Sequence, residues 1–294
     1  MAASEVLMVR PAAFGFNAET AVNNSFQHTS ALSPQQIELN ALNEFDSLVN
    51  LLRAKGITVQ VLHDTPQPVK PDAVFPNNWF STHSSGKLIL YPMYAPVRRL
   101  ERREGIQQLF PYKKLIDLHA YEQENKFLEG TGSLVFDHKN KVAYAGLSVR
   151  THQELVTLVA SQLGYSTFVF NTADKNGNAI YHTNVMLSIS DELAVVCLAC
   201  VTDKAEALHQ NLIKGGKKII EISMQQMENF CGNCLVMQNA KGERYMVMSE
   251  TAKQNFTAHQ LQAMQQYYEI LAVPLNTIES IGGGSARCML AEIF

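Results

Sequence analysis

The residues best suited to carry out chemistry lie near residue 294, where a glycine run precedes an arginine and a cysteine. Residues 282–288 read Gly-Gly-Gly-Ser-Ala-Arg-Cys. Glycines allow positive φ and a close approach of the backbone to a ligand, so the run predicts a tight turn that lines a pocket. Cys288 is therefore a candidate nucleophile, although an unpaired cysteine often packs as a small buried hydrophobe.

The composition indicates a globular protein that binds a small molecule. The 294 residues are 46% hydrophobic and 17% charged, enough for a large core in two domains or in one barrel-like domain. A net charge of −3 argues against nucleic acid as the partner, and the pairs Arg98-Arg99 and Arg102-Arg103 are interpreted as a solvated helix face. With no apparent signal peptide or membrane span, the expected location is the cytoplasm.

The five cysteines are expected to be reduced thiols in such a compartment. Cys197 and Cys200 lie in an apolar run and are interpreted as core residues. Cys231 and Cys234 form a Cys-x-x-Cys motif, but a strand-like segment follows it instead of the helix that a thioredoxin-like site needs. No second such motif completes a zinc site around it, and no metal or cofactor is expected.

These candidates would be positioned by a unit that recurs along the chain: two apolar strands forming a hairpin, an amphipathic helix and a short β-branched strand. Hairpins start near residues 73, 129, 182, 230 and 285, at intervals of about 48 to 56 residues. Capping patterns at Thr151, Asp203 and Thr257 mark three of the helices. In the order strand, strand, helix and strand, the predicted segments of four units are 73–82, 87–91, 97–110 and 114–118; 128–136, 141–147, a helix that begins at 151, and 166–170; 182–190, 193–200, 203–214 and 217–222; and 230–238, 244–249, a helix that begins at 257, and 273–278.

The remaining unit is split between the two ends of the sequence. Its helix, 33–55, and strand, 57–62, come first, so its hairpin requires strand 5–10 to pair with strand 286–293. Such pairing closes five units into a ring and removes the free sheet edge. The residues that begin the hairpins would then face a shared axis: Asn77, Asn78, Glu129, His182, Asn233 and Cys288.

This pattern resembles a known superfamily, the guanidino-group modifying enzymes or penteins. The resemblance rests on the ring and on the motifs Phe-Pro-Asn-Asn-Trp at 75–79, Leu-Glu-Gly-Thr-Gly-Ser at 128–133, Ser-Val-Arg-Thr at 148–151, His-Thr-Asn at 182–184 and Gly-Ser-Ala-Arg-Cys-Met at 284–289. Within the superfamily the chain looks most like the amidinotransferase-related citrulline utilization hydrolases. The resemblance implies an α/β fold, a five-bladed α/β-propeller, as a single domain over residues 1–294.

A covalent mechanism suits these residue types, because a guanidino or ureido carbon is a poor electrophile and water a poor nucleophile. The Cys288 thiolate would attack that carbon, and protonated His182 would donate to the departing nitrogen before activating water as a base. Glu129 would orient the imidazole or bind a substrate nitrogen, and Arg287 would support the thiolate and bind substrate. The resemblance also implies that Arg150 binds the α-carboxylate of the substrate.

Two asparagines depart from the superfamily pattern and bear on the substrate. Where arginine deiminases carry carboxylates against the guanidinium, this chain has Asn78 and Asn184. An amide can both donate to a ureido oxygen and accept from its N–H groups, whereas a cation between two amides lacks a partner unless Glu129 or Asp72 supplies one. We therefore predict a hydrolase that converts citrulline into ornithine, carbon dioxide and ammonia.

Several alternatives stay open. The closest is a hydrolase of arginine, dimethylarginine or succinylarginine; the others are a non-catalytic binding ring and a thiol oxidoreductase that uses Cys231 and Cys234. The motif at residues 129–132 reads Glu-Gly-Thr-Gly where many relatives have Glu-Gly-Gly-Asp, so no role of that aspartate is carried over. Residues 14–27 form either a lid or an ordinary surface loop. A homo-oligomer is also possible.

Overall fold

The structure of the chain is a computed structural model that describes residues 2–110 and 112–294; Met1 and Pro111 lie outside the described residues. The described residues form fifteen strands, arranged in five three-stranded sheets of an α/β fold. The strands are β1 Glu5–Arg10, β2 Thr58–His63, β3 Phe80–His83, β4 Lys87–Leu90, β5 Lys114–Asp117, β6 Val135–Asp137, β7 Val142–Leu147, β8 Ser166–Asn171, β9 Leu187–Ile189, β10 Leu193–Val196, β11 Lys218–Glu221, β12 Leu235–Gln238, β13 Arg244–Ser249, β14 Glu269–Val273 and β15 Ala291–Ile293.

Every sheet repeats one topology. A central strand pairs antiparallel with one neighbour and parallel with the other, in the orders β15-β1-β2, β3-β4-β5, β6-β7-β8, β9-β10-β11 and β12-β13-β14. The antiparallel pair is a hairpin in four sheets, while in the first sheet β1 pairs with β15 and joins distant parts of the chain. The predicted pairing of these two segments is therefore confirmed, with β15 shorter than predicted.

Helices pack their apolar faces against these sheets. The longest, α2, begins after Ser33, whose hydroxyl accepts from the Gln36 N–H, and it buries a stripe that includes Phe45 and Leu52. In α9 the predicted capping box of Thr257 and Gln260 is present. The α-helices are α1 Ala18–Ala21, α2 Pro34–Ala54, α3 Pro96–Arg99, α4 Gly130–Ser133, α5 Gln153–Leu163, α6 Ala205–Lys214, α7 Met224–Glu228, α8 Glu250–Asn255 and α9 Ala258–Gln265.

The predicted helix over residues 97–110 is wrong. Only α3 and a 3₁₀ turn at Ile106–Gln108 form there, separated by Gly105 at φ 74°. The interpretation of the arginines in this segment as a solvated face is also wrong, because Arg98 is buried and Arg102 pairs with Glu122. Arg98 and Arg102 form ion pairs with carboxylates of the protein instead of facing solvent. The segment therefore forms the short helix α3 and the 3₁₀ turn in place of one continuous helix.

Three further boundaries differ from the prediction. Helices α5 and α6 begin after Thr151 and Asp203, and neither residue caps its helix; Asp203 instead accepts hydrogen bonds from Asn171. The last strand of the fifth sheet, β14, lies four residues earlier than predicted, and residues 278–282 form a π-helical turn. Helices α7 and α8 were not predicted.

The first strand of each hairpin is shorter than predicted, because tight turns occupy the residues before it. Helical turns precede β3, β6, β9 and β15, at Pro76–Asn78, α4, Thr183–Val185 and Ala286–Met289. Gly130 makes one close approach possible: it has φ 48°, and a Cβ atom there would lie 2.2 Å from the carbonyl oxygen of Asn77. The turns before β3 and β6 therefore touch backbone to backbone.

We predict that Gly130→Ala destabilises the fold by about 3–5 kcal/mol, because it adds left-handed strain and a backbone overlap. Gly164→Ala is the matched control, since Gly164 also has positive φ, 75°, but has open space around it. The control should lose only about 1–2 kcal/mol in chemical denaturation. Equal losses in the two variants would contradict the importance of the close approach.

Candidate active site

The turns that precede the hairpins converge on a small cavity. They carry Asn78, Glu129, His182 and Cys288, so residues far apart in sequence meet there. The cavity is narrow, with room for about one water molecule. Its lining consists of Thr20, Asn24, Asp72, Phe75, Asn78, Arg98, Arg150, Tyr181, His182, Gly282, Gly283, Gly284 and Cys288.

Cys288 lies in a 3₁₀ turn that its own backbone stabilises through a 2.9 Å hydrogen bond from its N–H to the Ser285 carbonyl. The thiol is buried. The side-chain amides of Asn184 and Asn233 contact its sulfur, with Nδ2 to Sγ distances of 3.6 and 3.3 Å. The glycine run reaches the cavity as predicted, and a Cβ atom on Gly284 would press against the ring of Phe75 at 2.9 Å.

His182 and Glu129 form a buried hydrogen-bonded pair, with 2.7 Å between Nε2 and Oε2. Burial would raise the pKa of Glu129, but Arg150, the hydrogen bond from His182 and Arg98 outweigh it and hold this pKa well below its usual range. Burial is the main cause that lowers the pKa of His182 to about 4, against the opposing effect of Glu129. At neutral pH the pair is therefore a carboxylate beside a neutral imidazole.

This protonation state assigns the tautomer of His182. An ionised carboxylate can only accept, so the proton of the imidazole is on Nε2 and the lone pair is on Nδ1. Gly132 faces that nitrogen, and a Cβ atom there would lie 2.7 Å from His182 Nδ1 and 2.6 Å from Asn78 Nδ2. The absence of a side chain at residue 132 thus leaves room for a basic nitrogen and an amide nitrogen side by side.

Arg98 fixes the orientation of the Asn78 amide. Its Nη1 donates to Asn78 Oδ1 at 2.7 Å, while Asn78 Nδ2 donates to Asn77 Oδ1 at 3.0 Å. Glu101 holds the guanidinium through two hydrogen bonds of 2.8 Å. These bonds fix which end of the Asn78 amide is the nitrogen, and one N–H of Nδ2 stays available to donate to a ligand.

Asp72 brings a second carboxylate to the cavity. Its Oδ2 accepts from Asn17 at 2.7 Å and from Thr20 at 3.2 Å, and it lies 3.8 Å from Arg98 Nε. Its Oδ1 is buried without a hydrogen-bond partner among the described residues. Burial raises the pKa of Asp72 in spite of the charge of Arg98. A buried acceptor without a partner indicates a place for a donor from a ligand.

The segment 17–27 covers the cavity and binds its charged groups. Arg150 donates to the Thr20 carbonyl at 3.0 Å and, from Nε, to Asn23 Oδ1 at 2.8 Å. Asn24 and Gln27 donate to backbone carbonyls of Gly283 and Ile281, at 3.4 and 3.2 Å. The segment is therefore packed onto the site, and its opening as a lid stays a prediction.

Four of the seven predicted site residues line the cavity, namely Asn78, Arg150, His182 and Cys288; Glu129 lies behind His182 and bonds to it, and the other two are placed differently from the prediction. Asn184 lies against the sulfur instead of beside Asn78, so the two amides do not face each other across the cavity as expected. Arg287 turns its guanidinium away, toward the Leu290 carbonyl at 2.9 Å and Glu292 at 3.1 Å. Both residues line a separate, larger cavity.

Sequence reasoning missed Arg98 and assigned no role to Asn233. Arg98 belongs to a basic run, whose composition suggests solvent exposure. Asn233 stands before a hairpin like the other site residues, and this position was a usable signal.

Within the described residues, no set of three or more His, Cys, Asp or Glu side chains is arranged to hold a metal ion. None of the described helices has the length and apolar character needed to cross a membrane.

Comparisons with known proteins agree with this architecture. A family model described as N,N dimethylarginine dimethylhydrolase, eukaryotic, matches residues 10–294. The chain thus belongs to this family and, with it, to the pentein superfamily whose motifs it resembles. None of the curated proteins compared with the chain matches it.

Solved structures share the fold at low identity. ArgZ, an arginine dihydrolase from the ornithine-ammonia cycle in Cyanobacteria, has a TM-score of 0.77 at 17% identity, over 98% of this chain and 40% of its own. The N-terminal domain of ArgZ, solved as a cysteine-to-serine mutant bound to substrate, has a TM-score of 0.76 at 17% identity, and the match covers 98% of this chain and 97% of that domain. DDAH from Pseudomonas aeruginosa, also solved as a cysteine-to-serine mutant and complexed with citrulline, has a TM-score of 0.71 at 16% identity, and the match covers 100% of both chains. The chain spans about two fifths of the full-length ArgZ that it matches.

We predict that His182 makes stability depend on pH between about 6.5 and 4. The imidazole takes up a proton near pH 6.5 when unfolded and near pH 4 when folded, so the unfolded chain binds more protons in this window and stability falls as the pH falls. Between pH 7 and 4.5, the wild type should lose about 2–3 kcal/mol more than His182→Gln.

Denaturation at a series of pH values measures this difference, with His259→Gln as the control, because His259 is exposed on α9. The control should follow the wild-type curve. Parallel curves for the wild type and His182→Gln would contradict the assigned neutral imidazole.

Proposed function

We propose that the protein is a hydrolase that cleaves a C–N bond of a guanidino or ureido amino acid through a covalent intermediate on Cys288. The observation that carries this proposal is the cavity itself, which brings a buried thiol together with a neutral imidazole bonded to an ionised carboxylate. We also infer that the five sheets form one α/β-propeller domain around the cavity. The pairing of β1 with β15 and the convergence of the hairpin turns support this arrangement.

In the proposed reaction, Cys288 passes its proton to the Nδ1 lone pair of His182 and attacks the planar carbon of the substrate. The imidazolium, stabilised by Glu129, then protonates the departing nitrogen, and a carbon–sulfur bond replaces the carbon–nitrogen bond. Neutral His182 next takes a proton from water as the water attacks the carbon bound to sulfur; the carbon–sulfur bond then breaks, and the proton returns to the sulfur of Cys288. For a ureido substrate this step forms carbamic acid, which decomposes, so the balance is one water consumed, with amine, carbon dioxide and ammonia released.

The Asn78 amide favours a ureido head group such as that of citrulline. Arg98 and Asn77 hold this amide so that one N–H group of Asn78 Nδ2 stays available to donate to the head group of the ligand. A ureido group has a carbonyl oxygen that can accept from it, whereas every nitrogen of a guanidinium donates. A donor facing a donor leaves both groups without a partner in a buried site, which is costly.

The other charged groups suit the amino-acid part of the substrate. Arg150 and Arg98 are the arginines of the cavity, and guanidinium groups bind carboxylates through paired N–H donors. The unpartnered Oδ1 of Asp72 can accept from an ammonium group. We assign the substrate carboxylate to Arg150, where it would replace the contacts with Thr20 and Asn23.

A guanidino substrate is the second candidate, and Asp72 is the observation that favours it. Its free carboxylate oxygen can pair with a guanidinium as well as with an ammonium. The names of the relatives point the same way: the matching family is one of dimethylarginine hydrolases, and ArgZ is an arginine dihydrolase. The pentein solved with citrulline is consistent with either class.

The geometry does not support a thiol oxidoreductase centred on Cys231 and Cys234. Burial raises the pKa of these thiols to about 12 and about 11. Thiol exchange needs the thiolate, so such thiols are poor reagents at neutral pH. A non-catalytic binding ring has no need for an ionised Glu129 bonded to His182 beside a thiol.

We predict that the purified protein hydrolyses citrulline faster than arginine or dimethylarginine, with the turnover of dimethylarginine followed through its amino-acid product because the amine that it releases is dimethylamine. Cys288→Ala should reduce turnover about 10⁴-fold or more, because the covalent step is lost. Cys231→Ser is the matched control and should stay active. Ammonia release and amino-acid analysis measure the products; efficient turnover of arginine with citrulline inert would establish the second candidate instead.

We predict that Asn78→Asp changes substrate preference toward guanidino compounds by about 10- to 100-fold in the ratio of kcat/KM values. A carboxylate would accept from guanidinium N–H groups and repel a ureido oxygen. Asn211→Asp is the control, because Asn211 lies on α6 outside the cavity lining and its Oδ1 accepts from the Tyr144 hydroxyl, which a carboxylate can also do. An unchanged ratio in Asn78→Asp would show that this side chain does not contact the head group.

A further inference from the structure

The sulfur of Cys288 rests on an amide whose orientation the backbone determines. Asn233 Nδ2 lies 3.3 Å from Sγ, and the side chain is buried in the turn before β12. The same Nδ2 donates to the Asn184 carbonyl at 3.0 Å, and Oδ1 accepts from the Arg287 N–H at 3.1 Å. Reversing the amide would place Oδ1 against the Asn184 carbonyl oxygen and Nδ2 against the Arg287 N–H. The nitrogen of the amide is therefore the atom that faces the sulfur.

The turn that carries Asn233 is pressed against the turn before β9. A Cβ atom on Gly232 would lie 2.2 Å from the Val185 carbonyl oxygen, so only glycine allows this approach. The approach brings the Asn233 amide within reach of the Asn184 carbonyl. Contacts with two other turns, those before β9 and β15, therefore fix the amide before any substrate arrives.

A thiolate in this position needs such donors. Within the described residues, the polar side chains that contact the sulfur are the amides of Asn184 and Asn233. The backbone N–H of Arg287 donates to Asn233, but the guanidinium of Arg287 points away from the sulfur, toward Glu292 and the Leu290 carbonyl. The nucleophilic form of cysteine is the thiolate, and a buried anion is stabilised by N–H groups that already point at it.

We propose that Asn233 is a catalytic residue that stabilises and aligns the Cys288 thiolate through its Nδ2 donor. This inference rests on the proposed role of Cys288 as the nucleophile. The Asn184 amide contributes less, because its Nδ2 lies 3.6 Å from the sulfur, against 3.3 Å for Asn233. Asn233 acts on the sulfur and lies outside the lining of the substrate cavity, so its loss should lower kcat and leave KM nearly unchanged.

Alkylation by iodoacetamide tests this role without any substrate, with mass spectrometry reporting on Cys288 separately from the other cysteines. Asn233→Ala should slow alkylation of Cys288 at pH 7 about 10- to 100-fold. It should also move the half-maximal rate to higher pH by about one unit or more, because a thiolate that lacks a donor forms less readily. Asn233→Asp keeps the shape and the acceptor for the Arg287 N–H but removes the donor, and it should be at least as slow.

Asn239→Ala is the matched control. Asn239 is also a buried asparagine, at the other end of β12, and its Nδ2 bonds to the Lys55 carbonyl at 2.9 Å and to the Tyr245 hydroxyl at 3.2 Å. Its loss should reduce thermal stability but leave the alkylation rate and its pH profile unchanged. A purely structural role for Asn233 predicts that the two alanine variants behave alike.

The outcomes separate this inference from the proposed function. Rapid wild-type alkylation that slows in both Asn233 variants supports the inference, even when neither citrulline nor arginine is turned over. A wild-type rate and pH profile in folded Asn233→Ala or Asn233→Asp would overturn it. Labelling of wild-type Cys288 no faster than a free thiol in solution would reject both the inference and the proposed nucleophile.

Discussion

The structure depends on the pairing of charges that have been taken out of water. Two arginines and three carboxylates are buried around the cavity: Arg98, Arg150, Asp72, Glu101 and Glu129. An unpaired ion in such surroundings costs several kcal/mol, so each of these groups needs a partner of opposite charge. Arg98 lies between Glu101, Asp72 and Glu129, at 2.8, 3.8 and 3.9 Å. The elements around the cavity are therefore held together by their charges as well as by their apolar faces.

The sequence predicted the parts of the fold that depend on local pattern and spacing. Apolar runs joined by polar turns predicted the hairpins, and their regular intervals predicted that β1 pairs with β15. The same spacing placed Cys288, His182 and Glu129 near one another, because each precedes a first hairpin strand. These predictions succeed because apolar runs and repeat length are recorded along the chain itself.

What the sequence could not supply is the direction of individual side chains and the partners of buried ions. A basic run such as residues 98–103 predicts an exposed helix by composition, yet Arg98 is 2% exposed because Asp72 and Glu101 reach it. Similarly, Arg287 precedes the cysteine but points away from it, since adjacent residues of a tight turn face different sides. Such outcomes depend on tertiary contacts that no local pattern contains.

The charges also determine where the acid of the proposed reaction comes from. His182 is neutral before the substrate binds, because burial and the two arginines outweigh Glu129. In the proposed reaction it therefore becomes the proton donor after accepting the thiol proton, whereas the sequence led us to expect a protonated His182 from the start. Forming the thiolate and the imidazolium together keeps the net charge of the cavity constant, and each new ion has a partner ready: the Asn233 amide for the sulfur and Glu129 for the imidazolium. The base that activates the nucleophile is thus the acid that expels the leaving group.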